Sequence, residues 1–149
     1  MAERKRRLIE EAKARVEELL EERISEEGMT LDEIEAVVES TTREVAAWVE
    51  ERLIEEQQPP SSNRAACPRC AATCAFKRDL DTCVLTIHGQ RRIRRRYFYC
   101  ATCKAGFSPT DAALGLEPGR DATRQVRAWQ ARFGSDSAFA AVPELFWEL

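Results

Sequence analysis

The sequence predicts an α+β chain: an N-terminal antiparallel helical hairpin, a three-stranded antiparallel sheet framed by cysteine pairs, and short C-terminal helices. Apolar residues recur at helical spacing early in the 149 residues, two CxxC pairs enclose a β-rich middle segment, and helical spacing returns after it. The predicted parts are the hairpin (1–58), a Pro/Ser linker (59–63), the cysteine-framed sheet (64–107), and a loop with C-terminal helices (108–149).

Two amphipathic segments predict the hairpin. The first is expected to end at Gly28, because glycine accepts the left-handed conformation that closes helices. Thr30 and Glu33 form a capping-box pattern that opens the second helix, which should run to about Gln57. The hairpin is either self-contained or a dimerisation or docking device, because a lone hairpin leaves much of its apolar stripe uncovered. We favour a homodimer through this hairpin.

Charge is divided unevenly along the chain, although the net charge is only −3. The first 58 residues carry 9 basic and 18 acidic side chains, whereas the remaining residues carry 14 basic and 8 acidic ones. Residues 64–106 alone carry 10 basic and 2 acidic side chains. Such asymmetry indicates an anionic partner for the basic segment.

The chain contains no apolar run near the ~20 residues that a membrane span needs. Its basic N-terminus is not followed by an apolar stretch with a cleavage site, so we expect no secretory signal, no membrane partner and a cytoplasmic location. Thiols stay reduced there, and six cysteines then indicate metal ligands or buried thiols before disulfides.

The two CxxC pairs predict a structural zinc site, with 29 residues between the inner cysteines. Two such turns complete a closed tetrahedral set of thiolates, which are soft ligands that suit Zn²⁺. A redox dithiol would need a βαβ setting that is absent here. Cys74 and Cys83 are predicted to be structural thiols, and His88 a turn residue. The predicted zinc ligands are Cys67, Cys70, Cys100 and Cys103.

Three strands are predicted between the cysteine pairs, at about 74–78, 83–88 and 91–99. A three-residue turn over 88–90 would place the odd-numbered residues of the last two strands on one apolar face. The opposite face would then carry exposed arginines across from small residues. In this register, Arg92, Arg94 and Arg96 lie opposite Thr82, Val84 and Thr86.

The last predicted strand holds five arginines within six residues. Like charges on one face repel one another unless an anion neutralises them, and guanidinium groups match the geometry of phosphate. We therefore predict DNA binding, mostly through contacts to the backbone, and nothing in the strand predicts sequence-specific base reading. A solubilising charged edge and docking onto an acidic protein surface remain open. The candidate nucleic-acid-binding residues are Arg91, Arg92, Arg94, Arg95 and Arg96.

The C-terminal part predicts a loop followed by a helix over about 121–133 that Gly134 stops. Ser137 could cap a last helix, which Pro143 would either kink or end. The apolar segment 142–149 is expected to need a core or a protein partner to cover it.

The run CPRC, then CVLTIHGQRRIRRRYFYCATCKAGFSPTDAALGL and ATRQVRAWQARF, resembles the N-terminal region of bacterial insertion-sequence transposases of the ISKra type. The resemblance is most specific over residues 67–116. It implies that the cysteines of the two CxxC pairs are the family's zinc ligands and that the arginine strand belongs to a DNA-binding part. This chain departs from the family pattern at Ala71 and Lys104, where the family carries glycine.

Members of that family continue into an RNase H-like domain with three metal-binding carboxylates, for which these 149 residues have no room. Strand transfer needs two metal ions held by such acids, and no spaced carboxylate set replaces them here. We therefore expect a transposase-derived, non-catalytic, zinc-binding DNA-binding protein that is not an enzyme. The alternative is a zinc-stabilised interaction module that docks onto a larger protein or complex.

Overall fold

The computed structural model describes residues 2–117 and 119–136, so the predicted last helix and the apolar segment 142–149 lie outside the described residues. The α+β class is confirmed. No helix in the described part of the chain is long and apolar enough to cross a membrane. The elements are α1 (Ala2–Arg23), α2 (Leu31–Gln57), β1 (Arg64–Ala66), β2 (Thr73–Thr86), β3 (Gly89–Cys100), β4 (Ala105–Phe107), α3 (Pro109–Leu114) and α4 (Arg124–Asp136).

The chain divides into two compact units at Gln57–Gln58, and the first unit is the predicted helical hairpin of α1 and α2. The capping box is confirmed: the backbone N–H of Thr30 donates to Glu33 Oε2 at 2.7 Å, and the N–H of Glu33 donates to Thr30 Oγ1 at 3.3 Å. The predicted end of the first helix at Gly28 is wrong. Helix α1 ends earlier, and Ser25 Oγ there accepts the backbone N–H of Glu27, a local bond that competes with helix.

The second unit is built on one antiparallel sheet with strand order β1-β2-β3-β4, so the sheet has four strands and not three. The strands predicted at 74–78 and 83–88 are a single strand, β2. Asp79 and Asp81 are unfavourable strand residues, but here they form ion pairs across the ladder with Arg94 and Arg92. These cross-strand pairs compensate for the low β-propensity of the two aspartates.

The turn between β2 and β3 corrects the predicted register. It contains only residues 87 and 88, because Thr86 already pairs with Gly89, which has a φ of +106°. Thr86 Oγ1 fixes this shorter turn by accepting the N–H of His88 at 3.1 Å and donating to the Gly89 carbonyl at 2.9 Å. The predicted placement of odd-numbered β2 residues on the face of Ile93 is therefore wrong. The residues that lie opposite Arg96, Arg94 and Arg92 are Asp79, Asp81 and Cys83.

Each face of the β2–β3 ribbon is buried over only half of its length. In the knuckle half, near the CxxC turns, Phe98 packs against Phe76 and Phe107 at ring-centroid distances of 6.1 and 5.7 Å. In the turn half, the opposite face is buried at Val84 and Ile93. The face that carries Arg92, Arg94 and Arg96, named here the arginine face, is thus covered at Phe98 and open toward the turn.

The segment after the sheet differs from the predicted loop and single helix. Helix α3 was not predicted; Pro109 occupies its first turn, where the missing N–H costs nothing. Residues 121–123 pair with the edge of β2 instead of starting a helix: the N–H of Leu85 donates to the Asp121 carbonyl at 2.7 Å. Helix α4 follows, continues past Gly134, and buries Val126 completely.

Candidate metal centre and arginine face

The structure brings the four predicted ligand cysteines together, and their sulfur atoms all lie within 4.8 Å of one another. Cys67 Sγ and Cys103 Sγ are 3.9 Å apart, and Cys70 Sγ and Cys100 Sγ are 3.6 Å apart. Zn–S bonds of ~2.3 Å in a tetrahedron would separate the sulfurs by about 3.8 Å. The cluster is therefore close to the size that one metal ion of this kind needs.

Backbone hydrogen bonds shape both CxxC turns. The first turn connects β1 to β2, and in it the N–H of Cys67 donates to the Ala72 carbonyl and the N–H of Ala71 to the Cys67 carbonyl, both at 2.9 Å. The N–H of Arg69 donates to Cys67 Sγ at 3.4 Å. The second turn, from β3 to β4, repeats this bond, with the N–H of Cys103 donating to Cys100 Sγ at 3.4 Å. Such donors favour the thiolate form that metals bind.

The protonation of the four thiols follows from these contacts. The N–H of Arg69 lowers the pKa of Cys67, and the N–H of Cys103 lowers the pKa of Cys100 to about 6. Hydrogen bonding with the Cys70 side chain raises the pKa of Cys103 to about 12. In the metal-free cluster Cys100 is therefore a readier thiolate than Cys103. A metal ion that binds all four sulfurs must displace the remaining protons.

The other candidate ligands lie outside the cluster. Cys74 is a buried thiol, as predicted, in the same small core as Phe98, and burial raises its pKa. Cys83 is exposed on the arginine face, so its prediction as a structural buried thiol is wrong. His88 lies in the β2–β3 turn, as predicted.

One residue in each CxxC turn adopts a backbone conformation that favours glycine. Ala71 has a φ of 58° and Lys104 a φ of 52°, and within the described residues these are the non-glycine residues with positive φ. Gly106 is required for a different reason: the ring of Tyr97 lies where its Cβ would be.

We expect Ala71→Gly and Lys104→Gly to stabilise the sheet unit (residues 58–136). The left-handed backbone conformation costs a non-glycine residue ~1–2 kcal/mol, and substitution by glycine removes this strain. Glycine also makes the unfolded chain more flexible, which opposes folding by about 0.5–1 kcal/mol. The net gain should be about 0.5–1 kcal/mol per site, measured as the free energy of unfolding in urea. Ala72→Gly is the matched control and should destabilise, because Ala72 has no positive φ. Destabilisation by Ala71→Gly would contradict this strain.

The arginine strand does not present its five side chains alike. Arg92 and Arg94 are the most open, with side chains 75% and 70% exposed. Each forms an ion pair diagonally across the ladder, Arg92 with Asp81 and Arg94 with Asp79. Arg96 lies on the same face but is mostly covered. Its guanidinium stacks over Phe76 at 4.3 Å from the ring centroid and donates to Asn63 Oδ1 at 3.1 Å.

The two remaining arginines lie on the opposite face of β3. Arg95 forms a two-pronged ion pair with Asp111 of α3, which anchors that helix to the sheet. Arg91 donates to the His88 carbonyl at 2.8 Å and so supports the turn. Sequence reasoning missed the acidic partners Asp79 and Asp81, although their two-residue spacing matches that of Arg92 and Arg94.

No family model, curated protein or solved structure matches this chain. The cysteine cluster and the arginine face are therefore the features from which its function is inferred.

Proposed function

We propose that the four clustered cysteines bind one structural Zn²⁺ ion and that the sheet unit binds the phosphate backbone of DNA. A closed set of four thiolates leaves no coordination position for a substrate, so the proposed role of the metal is structural and not catalytic. Reduced thiols are needed to bind it, which agrees with a cytoplasmic location. The resemblance to ISKra-type transposases supports an origin in such an enzyme, with the DNA-binding part serving without catalysis.

One observation carries the DNA proposal: Arg92 and Arg94 stand side by side, largely exposed, on one face of a strongly basic unit. Residues 58–136 contain 14 basic and 6 acidic side chains. A zinc ion with four thiolates would contribute about −2 and leave the unit clearly positive. DNA, as a duplex or a single strand, is an abundant polyanion that such a positively charged surface attracts.

The aspartates beside these arginines are compatible with phosphate binding. Exposed ion pairs contribute only ~0–1 kcal/mol, whereas a guanidinium can grip a phosphate with two parallel charge-assisted hydrogen bonds. Asp79 and Asp81 would hold the guanidinium groups in position in the free protein and release them to DNA. These carboxylates also lower the affinity for DNA, because they repel a phosphate group that binds beside them.

The proposal predicts opposite effects for two double variants, measured as DNA affinity against salt concentration by fluorescence anisotropy. Arg92→Gln with Arg94→Gln should weaken binding and reduce the slope of log K against log salt by about 2, since each phosphate contact contributes ~0.9. Asp79→Asn with Asp81→Asn should strengthen binding, because the arginines keep their charge and lose their competitors.

The matched control removes two charges elsewhere in the same unit. Arg120 and Arg124 surround Glu117, away from the arginine face, and Arg120→Gln with Arg124→Gln should leave the slope nearly unchanged. If both double arginine variants lost affinity and slope equally, DNA would bind through the overall positive charge of the unit, which would contradict binding at the arginine face. No binding of the unaltered protein to any duplex or single strand at 50 mM salt would favour the alternative, a zinc-stabilised module that docks onto a protein.

We also propose that the helical hairpin is the association part of the protein, and that its partner is a second copy of the chain. Among residues 2–57, Leu19 is the buried large apolar side chain, which is a small core for a hairpin of this length. Self-association would give each assembly two basic sheet units. Two linked weak DNA contacts bind more tightly than either alone.

A further inference from the structure

One side of the helical hairpin carries an uncovered apolar face. On α2, Leu31, Ile34 and Val38 follow each other in steps of three and four, and Leu53 lies about four turns further along the helix. Ile9 lies on the matching side of α1, and Ile24 follows the last residue of α1, Arg23. Their exposed fractions range from 43% to 72%. The hairpin face, as named here, consists of Ile9, Ile24, Leu31, Ile34, Val38 and Leu53.

The two ends of the hairpin differ in charge. The turn end, residues 17–42, contains 1 basic and 10 acidic side chains. The open end, residues 2–9 and 50–57, contains 5 basic and 5 acidic ones. Two hairpins that met side by side with both turn ends together would therefore place two strongly negative regions in contact. An arrangement with the turn end of one copy against the open end of the other avoids this repulsion.

Charged side chains without ion-pair partners occur at both ends. Within the described residues, Lys5 and Arg6 at the open end take part in no ion pair. The same is true of Glu21 and Glu26 at the turn end. In an end-to-end reversed pair the open end of one copy, with its five basic side chains, faces the acidic turn end of the other, while the centre of the hairpin face gains apolar burial.

From this complementarity we infer that two copies pack antiparallel through the hairpin face and form a four-helix bundle with two-fold symmetry. The inference rests on the proposed self-association and adds the relative orientation of the two hairpins. It has a geometric consequence, because the 27 residues of α2 span about 40 Å at 1.5 Å each. The two copies of Gln57, where the chain leaves the hairpin, must then lie at opposite ends of the bundle.

The direction of packing is tested on the full-length protein, without DNA, by pulsed electron paramagnetic resonance. A nitroxide is attached to p-acetylphenylalanine at position 57, which leaves the native cysteines untouched, and the mass is first measured by light scattering. A dimer with an inter-label distance of about 40 Å is the expected result. A dimer with a distance below ~20 Å overturns the antiparallel arrangement alone. A monomer at 100 μM overturns self-association as well.

The hairpin face itself is tested with two variants that each add one glutamate to the same region of α2. Val38 lies on the face, whereas Ala36 is exposed on the other side of the helix. Val38→Glu should weaken the dimer at least tenfold in sedimentation equilibrium, and Ala36→Glu should leave its dissociation constant within about twofold. Equal effects of the two variants would overturn the assigned face. Arg92→Gln with Arg94→Gln should dimerise normally, which separates this result from failure of DNA binding.

Discussion

Replacing Cys100 by serine is expected to unfold the sheet unit while α1 and α2 stay helical. Cys100 is only 1% exposed, ends β3 and belongs to the sulfur cluster, and a serine hydroxyl is a poor zinc ligand. Structural zinc contributes roughly 10–16 kcal/mol in small zinc-finger peptides, more than a sheet of this size can supply from packing. Two-dimensional amide NMR should show the strand resonances collapse into the random-coil region, together with loss of bound zinc.

Cys83→Ser is the matched control, because Cys83 is an exposed cysteine on the same β-ribbon and lies outside the cluster. It should retain zinc and the native spectrum. A folded sheet in the Cys100→Ser protein, or equal damage from both substitutions, would contradict a metal-dependent fold.

Replacing Phe98 by alanine is the second large effect that we expect. Phe98 is 2% exposed and is held between Phe76 and Phe107, next to the buried Cys67 and Cys100. Removing such a ring costs about 3–5 kcal/mol, since the surrounding side chains cannot fill the cavity. We expect a loss of that size in the free energy of unfolding in urea, accompanied by faster transfer of zinc to a competing chelator.

Tyr99→Ala provides the comparison, because Tyr99 is the next residue of β3 and is 41% exposed on the other face. Its cost should stay near 1 kcal/mol, as for a partly exposed side chain. If Tyr99→Ala were as destabilising as Phe98→Ala, the knuckle half would not be buried on the arginine face.

The features that could be predicted from the sequence depend on local signals. The CxxC spacing alone identifies Cys67, Cys70, Cys100 and Cys103 as one cluster, because each pair needs only a tight turn and two such pairs make a complete set of four ligands. The capping box at Thr30 is likewise a contact between residues three positions apart.

The register of the β-ribbon could not be predicted because it depends on contacts between distant residues. A hydroxyl of Thr86 selects a turn one residue earlier than the glycine pattern indicated, and a slip of this kind moves every β2 side chain to the other face. The change of buried face along the ribbon requires α4 and the segment 121–123 to cover its turn half. The alternation of apolar and charged residues within β3 does not indicate which part of the ribbon these later segments cover.

The arginine strand shows why a local charge count is incomplete. The strand contains five arginines within six residues, but the fold gives them different surroundings. Arg91 supports the turn, Arg95 anchors α3 and Arg96 covers Phe76. The two that remain open, Arg92 and Arg94, form ion pairs with Asp81 and Asp79. Only pairing across β2 and β3 reveals this division, and it concentrates the proposed DNA contact on Arg92 and Arg94.

The proposed metal centre is tested most directly by zinc K-edge X-ray absorption on full-length protein purified without chelators. One zinc per chain, surrounded by four sulfur atoms at about 2.3 Å, is the expected result. Less than about half an equivalent of zinc in a folded protein, or a shell that contains nitrogen or oxygen in place of sulfur, would contradict the four-cysteine site.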